Sequence, residues 1–103
     1  MKTLPYSMFF KAFSNNTRFE IVRLLKNGDP KSVTDICDSL GFKQSRVSRN
    51  LKCLIDCGFV NVERNGKQRI YSLNKETIYP MIGLIDRHIE KYRKHLVKCG
   101  VLE

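Results

Sequence analysis

Apolar residues recur along this chain in helix-period stripes, interrupted once by a strand-period pair, and the polar residues between them mark where each element stops. Pro5 suits the first turn of a helix that carries Met8, Phe9, Ala12 and Phe13. These are more large side chains than one short helix can hide, which divides them between a core and a dimer interface. Asn15 or Asn16 caps a second helix, Thr17 to Lys26, with Phe19, Ile21, Val22, Leu24 and Leu25 on a wide apolar stripe. Asn27, Gly28, Asp29 and Pro30 end it. Lys31 to Leu40 places Val33, Ile36 and Leu40 at helical spacing, with Ser32 or Thr34 as its cap. Gly41 can close that helix in a left-handed conformation and Phe42 can plug the corner before the next one.

The segment Lys43 to Cys57, KQSRVSRNLKCLIDC, divides most cleanly into two faces. Val47, Leu51, Leu54 and Ile55 gather on one side, while Ser45, Ser48, Arg49 and Lys52 gather on the other. The polar side holds donors suited to phosphates and to the acceptor edges of bases, and no carboxylate enters before Asp56. Helix, short turn and helix together predict a helix-turn-helix with this segment as the recognition helix. Phe59 to Glu63 then begins a strand, Asn65 and Gly66 signal a type I′ hairpin turn, and Gln68 to Leu73 returns. Arg64, Lys67 and Arg69 make the hairpin tip basic, the pattern of a wing that touches phosphates or enters a minor groove.

The last helix, about Thr77 to Lys98, repeats Ile78, Ile82, Ile85, Ile89, Tyr92 and Leu96 in alternating steps of four and three. Pro80 falls in its first turn, where it is tolerated. No later element is left for this seam to pack on, which favours the first helix and a second copy of the chain as its partners. The expected fold is mainly α with a small β-hairpin, a single winged helix-turn-helix domain over residues 1–103 that dimerises through its first and last helices.

Composition sharpens this picture. Nineteen Lys and Arg against ten Asp and Glu give a net charge of +9, which for a soluble domain points to a polyanion, here double-stranded DNA. A chain of 103 residues buries only ~60–65% of its unfolded surface, so dimerisation would enlarge a small core. No apolar run approaches the ~20 residues of a membrane span, and Met1 to Phe10 lacks the apolar core of a secretory signal; the expectation is a cytoplasmic protein without membrane contact. The four cysteines are then core fillers, metal ligands or redox thiols rather than a disulfide frame. No nucleophile, base and orienting group occur as a set, and His88 and His95 share a basic helical face, so an enzyme is not expected.

The stretches FKAFSNNTRFEIVRLLKNG, SVTDICDSLGFKQSRVSRNLKCLIDCGFV and VERNGKQRIYSL resemble the ArsR/SmtB family of winged-helix repressors across residues 8–98, most specifically in QSRVSRNL and GKQRIYSL. Asn16 and Asn50 depart from the proline and histidine common in that family. The resemblance implies a homodimeric repressor on an inverted-repeat operator, with Lys43, Gln44, Ser45, Arg46, Ser48 and Arg49 in the groove and Arg64, Lys67 and Arg69 on the wing. It also implies which sensing sites are missing. Ser32 and Thr34 replace the thiolate pair of the supporting helix, and Lys75, Thr77, His88 and Lys91 leave one ligand of the terminal-helix zinc site. Cys53, Cys57 and Cys99 are similar in pattern to the cadmium- and lead-responsive branch, which makes them the candidate ligands of Cd²⁺, Pb²⁺ or another thiophilic ion, with His95 a candidate fourth. Two readings stay open beside this one: a thiol redox switch, and cysteines that only pack, in a regulator or architectural protein without a ligand. Cys37 on the supporting helix is expected to pack.

Overall fold

The computed structural model describes residues 4–98 and has the order α1 (Leu4–Phe13), α2 (Asn16–Lys26), β1 (Lys31–Ser32), α3 (Val33–Leu40), α4 (Gln44–Asp56), β2 (Val60–Asn65), β3 (Gln68–Leu73) and α5 (Ile78–Lys98). Two of the helices, α2 and α3, start at a side-chain cap. The Asn15 side chain accepts from the Arg18 N–H at 3.1 Å, opening α2. Ser32 and Asp35 form a reciprocal capping box at α3, each side chain accepting from the other's backbone N–H. Gly41, at φ +72°, ends α3 in the left-handed conformation and donates to the Cys37 carbonyl, which turns the chain straight into α4. Asn74 ties the end of β3 back to the turn after α4 by donating to the Gly58 carbonyl at 2.8 Å.

The core lies where α2, α3 and α4 meet the sheet. Ile21, Val22 and Leu25 of α2, Ile36 of α3, and Val47, Leu51 and Leu54 of α4 close against Phe59, Val60, Tyr71 and Leu73. Ile78 and Ile82 complete it from α5. On α1, Phe9 and Phe13 face inward, their ring centroids 5.0 and 5.4 Å from that of Phe59. Tyr6, Met8 and Phe10 face away and are all more than 60% exposed, so α1 has two apolar sides of which the protomer covers one.

Three details depart from the sequence reading. The hairpin is the larger part of a three-stranded antiparallel sheet ordered β1-β3-β2, because Lys31 and Ser32 pair with Tyr71 and Ile70. Asn65 pairs with Gln68 and belongs to the ladder, so the two loop residues are Gly66 and Lys67. With Gly66 at φ +65° and no other residue type at positive φ among the described residues, the turn has the φ signature of type II′, not the expected type I′. Finally, α5 is broken at Tyr92 (φ −111°, ψ 18°), whose ring lies tilted against His88 and edge-on to His95, so the seam is not one continuous helix. None of its helices is long and apolar enough, among the described residues, to cross a membrane.

Candidate nucleic-acid interface

The buried stripe of α4 fixes which of its side chains reach solvent. With Val47, Leu51 and Leu54 locked in the core, Gln44, Ser45, Ser48, Arg49 and Lys52 are turned outward and are all exposed. Lys43 precedes the helix and offers no side-chain cap, which leaves the leading N–H groups of α4 to an outside acceptor such as a phosphate. Ser45, Arg49 and Lys43 line one polar cleft with Phe42 and Asn15, where the helix-turn-helix corner meets the start of α2.

The wing extends this face. β2 and β3 pair in register, and the face that carries Val60, Tyr71 and Leu73 into the core runs on through the exposed Val62 to Arg64 and Arg69, which are directly paired across the strands. Two like charges in that position destabilise a free hairpin. The same two guanidiniums become favourable once a phosphate lies between them. Lys67 sits in the two-residue loop, at the outermost point of the wing. Among the described residues the ion pairs are Lys26 with Asp86, and Lys52 with Asp56, so Lys43, Arg49, Arg64, Lys67 and Arg69 carry charges that none of the described carboxylates pairs with. Arg64→Thr is accordingly expected to stabilise the protein by about 0.5 kcal/mol while weakening its binding to every duplex. Thermal unfolding beside a DNA titration measures both, and a variant that loses stability would show that the arginine pair is not strained.

Arg46 behaves differently from its neighbours. Its Nε donates to Thr17 Oγ1 at 2.9 Å and its guanidinium lies 4.0 Å from the Phe42 ring centroid, so part of its hydrogen-bonding capacity is spent inside the protomer. Arg18 and Asn50, which the sequence reading passed over as contacts, adjoin it: Arg18 Nη1 donates to Asn50 Oδ1 at 3.4 Å, and Asn50 Nδ2 donates to the Arg46 carbonyl at 2.8 Å. A signal was available, since Arg18 precedes Ile21 by three residues and Val22 by four and therefore sits on the buried stripe of α2, where a guanidinium needs partners.

Cys53 is half-buried and Cys57 exposed, one turn apart on α4, and neither belongs to the core or to the apolar residues packed on it. Cys37 does pack there. Partial burial pushes the Cys57 thiol up from its ordinary value, the adjacent Cys53 thiol adds to the rise, and the charge of Arg18 opposes it. The pair is chemically suited to share a soft ion, as two adjacent sulfur donors. Cys99, the third candidate, lies outside the described residues, and among those residues no three His, Cys, Asp or Glu side chains converge on a common ion position.

A recognition helix set by an apolar stripe, a supporting helix joined to it by a glycine-closed turn, and a basic two-stranded wing define a winged helix-turn-helix DNA-binding domain. Residues 15–62 match the family model described as bacterial regulatory protein, arsR family. A probable mercury resistance operon repressor from Streptomyces lividans is 33% identical over 76 residues, and the match spans 74% of this chain but only 60% of that protein. The transcriptional regulator NmtR of Mycobacterium tuberculosis is 36% identical over 90 residues, covering 76% of this chain and 74% of that one. The fold also matches a homodimeric winged helix-turn-helix DNA-binding domain from Mycobacterium bovis, with a TM-score of 0.75 and 27% identity over 82% of this chain and 78% of that one. The chain belongs to the ArsR family, and is a DNA-binding transcriptional regulator rather than an enzyme.

Proposed function

We propose that two copies of the chain bind an inverted-repeat operator as a homodimeric repressor, and that a soft metal ion such as Cd²⁺ or Pb²⁺ at Cys53, Cys57 and Cys99 releases it. The observation that carries the DNA reading is the unneutralised basic face shared by α4 and the wing, where like charges are held together against their own repulsion. Gln44, Ser45, Ser48 and Arg49 read base edges or adjacent phosphates, and Arg64, Lys67 and Arg69 hold the backbone. Arg46 contributes through the donors that Thr17 leaves free.

Dimerisation is supported by the exposed apolar residues of α1 and α5. Tyr6 and Phe10 border an apolar groove with Pro5 and Phe9, and Leu84, Ile85 and Tyr92 are left at the surface of α5. The metal reading is supported by the thiol pair lying outside the core, and by a relative described as a mercury resistance repressor, mercury being thiophilic. A bound ion would supply a cross-link between thiolates of α4 and of the chain's end.

The DNA arrangement makes two substitutions differ in kind. Arg49→Ala is expected to reduce preference for the operator over unrelated duplexes by about 1–3 kcal/mol. Lys67→Ala is expected to weaken all duplexes alike and to lower the salt slope by about one counterion. Footprinting and salt titrations on a duplex selected from a random library measure both, and half-sites should lie ~10 bp or a multiple apart. Affinity untouched by both changes would remove the groove assignment.

A further inference from the structure

One flank of α4 faces neither solvent-side donors nor the core: Arg46, Asn50, Cys53 and Cys57 follow one another at steps of four, three and four and form a single ridge. The ridge grips the first turn of α2. Arg46 holds Thr17, which is buried, and Asn50 accepts from Arg18. Arg18 is itself a link with two ends. Its Nη1 reaches Asn50 on α4, and its Nε donates at 2.6 Å to the Ala12 carbonyl in the last turn of α1. A cation is favoured there, because the final carbonyls of a helix have no partner within it. Among the described residues no other side-chain hydrogen bond joins α1 to another element, and α1 otherwise holds on through Phe9 and Phe13. The planar guanidinium fixes the angle between its two donors, so Ala12 and Asn50 are held at a set separation and orientation.

We propose that Arg18 is a positioning residue for operator binding, joining the end of α1 to the recognition helix through Ala12 and Asn50 so that a change at one is felt at the other. Arg18 touches no DNA in this role. It sets how α4 is presented relative to the helix whose outer face is left for a second copy. Resting on the metal reading above, the same joint also carries the response of operator affinity to an occupant of Cys53 and Cys57. Those thiols continue the ridge from Asn50, one and two turns further along α4. Arg46, with its hold on Thr17, steadies the other end of the ridge.

The test is a double-mutant cycle on a duplex that the parent protein selects from a random library, with a scrambled duplex as control. Asn50→Ala and Arg18→Gln are each expected to lower operator affinity about five- to tenfold, with the scrambled duplex unchanged within about twofold. If they act as one joint, the double variant is no weaker than the weaker single one. Arg18→Lys keeps the charge without the fork and is expected to behave like Arg18→Gln. Additive losses, equal losses on both duplexes, or no loss would each overturn the proposal. If Arg18→Gln shows no cooperative melt, Asn50→Ala decides alone through its ratio of operator to scrambled affinity. A Cd²⁺ arm separates this proposal from the metal reading. In Asn50→Ala the thiolate absorption should persist while the loss of operator affinity shrinks at least several-fold; an undiminished loss overturns the joint's part in the response. A parent without thiolate absorption removes the metal reading, and the cycle alone then decides for or against the joint.

Discussion

Ile85→Glu is expected to convert the protein to a monomer and to lower operator affinity by a factor of ~10²–10⁴, the advantage that one particle engaging two half-sites has over one engaging a single half-site. The helix α5 divides its apolar residues between core and surface. Ile78 and Ile82 are buried in the protomer's core, 4% exposed each, whereas Ile85 is 36% exposed and Leu84 58%. A glutamate at Ile85 therefore keeps access to water in the monomer and costs the fold less than a charge at Ile82 would. Across a dimer interface it would be an unpaired buried charge, at about 3–5 kcal/mol. Ile82→Glu is the contrasting control, since a charge there lands in the core and should unfold the chain. Sedimentation and operator titration on the same samples distinguish the two. A folded Ile85→Glu that still sediments as a dimer would place the interface elsewhere, with the outward residues of α1, Tyr6 and Phe10, the next to test.

The helices were legible because their signals are local. The stripes of α2 and α4 can be read from spacing alone, and Ser32, one of the two caps on offer, and Gly41 after Leu40 mark ends that the chain then adopts, whereas the reciprocal part of Asp35 shows only in the fold. What the sequence did not show is non-local. β1 is two residues long and exists because Lys31 and Ser32 meet Tyr71 and Ile70, some forty residues away. The Asn-Gly pair pointed to type I′, but the ladder runs one residue further and takes in Asn65, which shifts the loop to Gly66 and Lys67. That shift has a functional side, since a type II′ turn needs glycine only at its first position and so leaves the tip free for a lysine. The α4 face and the basic wing were legible as a candidate site from residue type and spacing. The inward ties of Arg46 were not, because they depend on Thr17 being brought alongside from α2.

Titration of the reduced protein with Cd²⁺ is expected to produce ultraviolet thiolate-to-metal absorption and to lower operator affinity about 10–100-fold, within the usual range of coupling between two sites. Cys53 and Cys57 can share an ion more easily than bond to each other, because residues one turn apart have Cβ atoms ~5–6 Å from each other, against the ~3.8 Å that a relaxed disulfide prefers. Loss of the thiol protons sets the sign of the pH dependence, and the raised pKa of Cys57, caused first by partial burial and then by Cys53, carries it to higher pH. At neutral pH the thiol holds its proton, which must leave as the ion is bound. Cd²⁺ affinity should therefore climb with pH by up to about tenfold per unit for each proton displaced, and level off only once the thiol is ionised without the ion. The double variant Cys53→Ser, Cys57→Ser should lose both the absorption and the response, yet keep parental affinity for the operator in the absence of Cd²⁺, since neither residue packs in the core. Cys99→Ser should weaken the absorption while leaving that affinity unchanged. A double variant that still responds to Cd²⁺ like the parent, or a parent whose absorption never changes, would remove Cys53 and Cys57 as the sensing pair.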